Sequence, residues 1–119
     1  MSLVLLAEDN DDVREALSAV LSARGYDVVP AENGKVALDL LLEGVRPCVI
    51  LCDLMMPEMD GAEFWGHQRR DPALRGIPTV IYSGHPDAKE KVRSAGIEAF
   101  LRKPLDIEEL VAIADRHCR

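Results

Sequence analysis

The sequence predicts an α/β fold: a doubly wound, five-stranded parallel sheet flanked by five helices. Three observations predict it. Five short runs rich in Val, Leu and Ile are apolar on both faces, as strands covered on both sides must be. Each run is followed by a longer segment whose apolar residues recur at helical spacing. Turns bearing Gly or Pro separate the segments, with no long linker, internal repeat or low-complexity tract. Right-handed crossovers make the doubly wound order the default for five such units. The length of 119 residues suits one domain, taken as 1–119, and a hydrophobic content of 48% can fill its core.

The elements follow in chain order. "LVLLA" (3–7) is the first strand, and Val13, Ala16, Leu17, Val20 and Leu21 form the stripe of the first helix. Asn10, Asp11 and Asp12 stand at that helix start, where side-chain oxygens cap free N–H groups; Asp12 and Glu15 have capping-box spacing, with Asn10 and Asp11 as the other caps. "RGYD" ends the helix and "YDVVPA" (26–31) is the second strand. "ENGK" opens a helix with Val36, Ala37, Leu40 and Leu41 inward, and Gly44 and Pro47 bracket the turn into "CVILC" (48–52). Asp60–Gly61 reads as a helix start for 61–70, where Phe64 and Trp65 supply most of the apolar surface. "DPALRGIP" (71–78) is a loop before "TVIY" (79–82). Segment 87–95 has only Ala88, Val92 and Ala95 for a buried face, so it reads as a short, weakly anchored helix capped by Gly96. "AFLR" (99–102) is the last strand, and Ile107, Leu110, Val111 and Ala114 form the last stripe.

Bulk properties exclude several function classes. A net charge of −7 argues against direct nucleic-acid binding. No apolar run approaches the roughly 20 residues of a membrane span, and no secretory leader is present; Met1 and Ser2 carry no structural weight. A cytoplasmic location is expected. Cys48 and Cys52, on one strand, would lie about 13 Å apart, too far for a disulfide with each other. The expectation is therefore buried, reduced cysteines. His67, His117, Arg69, Arg70 and Arg75 read as surface groups, and Trp65 as a partly buried packing residue.

The polar groups at the strand ends carry the functional reading. In a parallel doubly wound sheet the C-terminal strand ends share one edge, where ligands bind. Glu8 and Asp9 follow the first run, Asp53 the third, Ser83 the fourth and Lys103 the fifth. The second run delivers only Glu32 and Asn33, as an outer strand does. Strand-end turns often carry single polar residues, but three acids converging on one edge repel and require cations. Lys103 supplies one charge, and an oxygen-only donor set suits Mg²⁺; the lack of His and Cys disfavours zinc. A carboxylate is a competent nucleophile toward a phosphoryl group, and such transfer asks mainly for positioning and charge neutralisation. Asp53, on the central strand, is the natural nucleophile.

At these residues the sequence resembles the receiver, or phosphoacceptor, domain of two-component response regulators. The matching pieces are "EDN" (8–10), "CDLMMPEMDG" (52–61), "YSG" (82–84) and "FLRKP" (100–104), and the resemblance spans essentially the whole chain. It implies a flavodoxin-like sheet of order 2-1-3-4-5. It implies Asp53 as the phosphorylated residue, and Asp9, Asp53 and the Met55 carbonyl as Mg²⁺ ligands, with Glu8 as the other acid of the pair. Ser83 matches the switch hydroxyl, Lys103 the site lysine and Phe100 the switch aromatic; the Lys103–Pro104 bond is expected to be cis. Ser83 stands where many members have Thr, Gly84 where Ala is common, and Phe100 lacks a Tyr hydroxyl. Met55 and His85 occupy positions that tune phosphoryl lifetime in the family.

The implied function is Mg²⁺-dependent transfer from the phosphohistidine of a sensor histidine kinase or phosphotransfer protein to Asp53. Ser83 and Phe100 then rearrange the face of the fourth helix, fifth strand and fifth helix for an output domain or protein, or for a phosphorylation-dependent dimer. The domain is expected to act on itself alone rather than as an enzyme, and no output module is read in the sequence. Rival readings differ in residues that can be checked. An Asp-nucleophile phosphatase would place a second acid at Met55, and a nucleotide hydrolase would need a phosphate-cradling glycine loop that is absent. A flavodoxin-like cofactor binder would not stock its phosphate loop with acids. A phosphorylation-independent pseudo-receiver, acting as a protein-interaction module, would lack one of the acids or Lys103.

Overall fold

A computed structural model describes residues 2–97 and 99–118. Five strands, β1 (Leu3–Ala7), β2 (Asp27–Ala31), β3 (Val49–Asp53), β4 (Thr79–Ser83) and β5 (Phe100–Arg102), form one parallel sheet of order β2-β1-β3-β4-β5. The helices between and after them are α1 (Asp11–Ala23), α2 (Gly34–Leu42), α3 (Gly61–Arg70), α4 (Ala88–Ala95) and α5 (Ile107–Cys118). This is the fold class and strand order that the sequence implies.

Alternation along the strands sends side chains to two cores. Leu5, Ile50 and Ile81 face α2, α3 and α4, meeting Leu41, Phe64 and Val92. Val4, Leu6, Leu51 and Val80 face α1 and α5, meeting Leu17, Leu21 and Leu110. Full burial of each large side chain contributes about 1.5–3 kcal/mol. The central strands β1, β3 and β4 are covered on both faces, whereas β5 is three residues long and only partly buried. As expected, α4 is short, with Ala88 and Val92 as its buried residues and Gly96 in the left-handed region at its end (φ 76°).

Local chemistry fixes the helix starts that frame the upper edge. Asn10 caps α1 by accepting from the Val13 N–H at 3.0 Å, so the Asp12–Glu15 pair does not form the cap. The helix begins one residue earlier than that pair requires. Asp60 and Glu63 form a complete capping box on α3. Gly61 follows because a Cβ there would lie 2.6 Å from the Asp53 carbonyl oxygen. The start of α3 is thereby pressed against the end of β3.

Two features depart from the sequence reading. Gln68, fully buried, donates through Nε2 to the Leu74 and Ile77 carbonyls (3.0 and 2.9 Å) and accepts from Thr79 Oγ1 at 2.8 Å. This polar side chain, not added apolar surface, pins α3 to the 71–78 loop. The second departure is a correction: Cys48 and Cys118 form a disulfide, with Cα atoms 5.3 Å apart, and Cys52 remains free and buried. Each helix of a βα unit returns antiparallel to its strands, so the last turn of α5 arrives beside the start of β3. The Lys103–Pro104 bond is cis, as expected. Among the described residues, no helix is long and apolar enough to cross a membrane.

Candidate functional site

The C-terminal edge of the sheet opens into a cleft of about 500 Å³ whose lining includes Glu8, Asp9, Asp53, Met55, Ser83 and Lys103. Every site residue taken from the strand ends is therefore brought together, apart from Phe100. That residue is half-buried on β5, beside Ile81, and lines a separate groove with Glu109 and Arg116 of α5.

Asp53 ends the fully buried β3 and is itself 4% exposed. Its Oδ1 accepts from the Met55 N–H at 3.2 Å, and its Oδ2 accepts from Lys103 Nζ at 3.0 Å. Glu8 is fully buried. Its Oε1 accepts from the Tyr82 hydroxyl at 2.9 Å and lies 3.5 Å from Lys103 Nζ, while its Oε2 accepts from the Asn10 N–H at 3.1 Å. Asp9 is exposed at the cleft rim. Ser83 is buried, and its Oγ accepts from the His85 N–H at 3.0 Å. The Lys103 N–H donates to the Ser83 carbonyl at 3.0 Å, so β4 sets the height from which the lysine reaches inward. Gly84 leaves room for that stem: a Cβ there would lie 3.2 Å from Lys103 Cβ.

The electrostatics follow from this packing. Desolvation, then the hydrogen bond and charge of Glu8, hold the Asp9 carboxyl above the usual carboxylate range. Burial pulls Lys103 down, but the hydrogen bond and charge of Asp53 and the charge of Glu8 outweigh it, so the net shift is upward and the ammonium persists at neutral pH. Burial and then Glu8 push Tyr82 up, which keeps its phenol a donor. Carboxylate oxygens of Glu8, Asp9 and Asp53 lie within 4.8 Å of one another. Three carboxylates facing one ammonium leave an excess of two negative charges. The donor set is all oxygen, and the excess equals the charge of a hard divalent cation, so the residues present fit such an ion.

Tyr82 and Arg14 were not singled out from the sequence. Arg14 Nη1 donates to the Glu8 carbonyl at 2.8 Å and Nη2 pairs with Asp11 at 2.5 Å, bracing the acidic turn. Tyr82 was legible in principle: a tyrosine in an otherwise apolar central strand needs a partner for its hydroxyl. Glu8, at the end of β1, is that partner.

Comparison with known proteins agrees with this geometry. Residues 4–115 match the family model described as "Response regulator receiver domain". The polar-differentiation response regulator DivK of Brucella anthropi is 32% identical over 91% of this chain and 89% of that protein. The regulatory protein AtoC of Escherichia coli is 34% identical over 95% of this chain, which spans only 24% of AtoC. The receiver domain of a Syntrophus aciditrophicus signal transduction histidine kinase superposes with a TM-score of 0.90 at 28% identity, covering 99% of this chain and 90% of that one.

Proposed function

Because the chain belongs to the response regulator receiver domain family, we propose that it is a phosphoacceptor switch of two-component signalling, with Asp53 as the acceptor. The observation that carries this reading is the setting of Asp53: a buried carboxylate at a cleft floor, held on Lys103, inside an acid cluster with an excess of two negative charges.

An Asp53 oxygen attacks the phosphorus of a phosphohistidine presented by a partner kinase or phosphotransfer protein. The new P–O bond forms as the P–N bond breaks, and the departing imidazole nitrogen takes a proton from solvent. Glu8, Asp9, Asp53 and the Met55 carbonyl would hold Mg²⁺. When bound, the ion offsets the negative charge of the acids and of the phosphoryl oxygens. Lys103 already donates to Asp53, so a small shift of its ammonium brings it to an equatorial phosphoryl oxygen. Ser83 Oγ–H is the second donor. The hydroxyl now accepts from the His85 N–H, and turning toward the phosphoryl group draws the 83–85 backbone inward.

That movement reaches the output face through packing. Ser83 is paired with Arg102, one strand position from the Leu101–Tyr82 pair and two from Phe100–Ile81. Phe100 turning inward from its half-buried position alters the groove between β5 and α5, and α4 follows because only two of its residues are buried. The domain acts on itself in this reading, accepting and losing a phosphoryl group rather than turning over a separate substrate. The test is incubation with a small phosphodonor and Mg²⁺, read by intact mass. One added phosphoryl group is expected in the wild type and none in Asp53→Asn or with chelator. No addition from several donors would favour a phosphorylation-independent interaction module.

A further inference from the structure

The three cysteines occupy two different chemical settings. Cys52 lies inside β3, fully buried, and burial followed by the nearby Asp53 pushes its thiol far above the usual range. Such a thiol is inert. Cys48 and Cys118 are half-exposed, at the sheet edge opposite the acidic cleft, and are bridged. From these observations we propose that Cys48 and Cys118 form a reversible thiol–disulfide modification site that fastens the end of α5 to the start of β3. This inference is independent of the phosphoacceptor reading.

Three features support reversibility over a permanent structural bridge. First, both sulfur-bearing residues are accessible enough for exchange, unlike Cys52. Second, Cys48 Sγ lies 3.1 Å from the Leu3 carbonyl oxygen, which can accept from an S–H. The reduced thiol therefore has a partner at the same position, and opening the bridge strands no polar group. Third, α5 does not depend on the bridge for its docking. Leu110, Val111, Ile113 and Ala114 are buried and hold the helix by themselves. Cys118 adds a tether at its last residue. Reduction should thus release the final turn of α5 without unfolding the domain.

The chemistry balances with a low-molecular-weight disulfide of the glutathione class as oxidant. The thiolate of one cysteine attacks that disulfide, forming a mixed disulfide and releasing one small thiol. The second cysteine then attacks the protein sulfur of the mixed disulfide and expels the second small thiol. Two protein thiols lose two electrons and two protons, and both reside in the two thiols released.

The test equilibrates the full chain in glutathione buffers from fully reduced to fully oxidised, followed by denaturing alkylation and intact mass. One labelled cysteine is expected at the oxidised end and three at the reduced end, with the same transition from both directions. Cys52→Ala should keep the transition with one label fewer, and Cys118→Ser should abolish it. Hydrogen exchange should show the last turn of α5 opening at least about tenfold more often when reduced, with α1 unchanged. Three labels at the oxidised end would overturn the bridge. One label at the reduced end would overturn reversibility, as would bridges between separate chains.

Discussion

Strand β4 runs from one buried polar cluster to another, and the two are built on opposite principles. At its start, Thr79 meets Gln68, whose two amide hydrogens and one carbonyl oxygen are all matched by neutral partners. At its end, Tyr82 and Ser83 meet Glu8, Asp53 and Lys103, where charge is left over. The first cluster is satisfied by the folded chain alone. The second is satisfied in its hydrogen bonds yet carries an excess of two negative charges across Glu8, Asp9 and Asp53. A buried group that the fold completes serves structure. A buried cluster that the fold leaves charged is arranged for something that arrives later.

Substitutions should separate the two clusters cleanly. The largest effect is expected at Asp53→Asn, with loss of all phosphoryl uptake and retention of the fold. Lys103→Ala should slow uptake by at least about 100-fold, because a donor to developing negative charge is removed. Gln68→Ala should do the reverse. It leaves the Leu74 and Ile77 carbonyls and the Thr79 hydroxyl without their partner, and should cost roughly 2–4 kcal/mol in urea unfolding while uptake stays near wild type. Equal losses of uptake and stability in both sets would erase the distinction.

Cation binding sharpens the contrast at smaller magnitude. Mg²⁺ at about 100 times its Kd should stabilise the wild type by roughly 2.7 kcal/mol, read as a rise in Tm that chelator reverses. Gln68→Ala should keep that rise and Asp9→Asn should lose it.

The smallest effect is the pH response of the metal-free protein. Asp9 has a folded-state pKa raised by desolvation and Glu8, so its contribution favours the fold below the ordinary carboxylate pKa. That contribution is lost as pH rises through the raised value. Asp9→Asn should therefore increase Tm slightly at neutral pH without metal, and the increase should vanish in acid. Lys103 has the same sign at the other end of the scale: its contribution is present below the ordinary lysine pKa and fades as pH rises through the raised value.

Much of this was legible in the sequence because strand periodicity and fold topology act locally. Apolar runs announced the sheet, and what followed each run announced the cleft, so Glu8, Asp9, Asp53, Ser83 and Lys103 were placed before any coordinates. Pairings that depend on distant elements were not legible. Cys118 meets Cys48 only because α5 returns to the lower sheet edge, and spacing within "CVILC" addresses Cys48 and Cys52 alone. Gln68 looked like one more polar residue on a weakly apolar helix until the 71–78 loop folded over it. The Asp12–Glu15 spacing competed with Asn10, whose side chain reaches the Val13 N–H first.

The most direct test of the account is to locate the phosphoryl group. The protein is treated with a small phosphodonor with and without Mg²⁺, reduced with borohydride to convert aspartyl phosphate to homoserine, and read by peptide sequencing in the mass spectrometer. The account predicts homoserine at position 53 alone, and only when Mg²⁺ is present. Conversion at Glu8, Asp9 or any other acid in its place, or equal conversion with chelator, would contradict it.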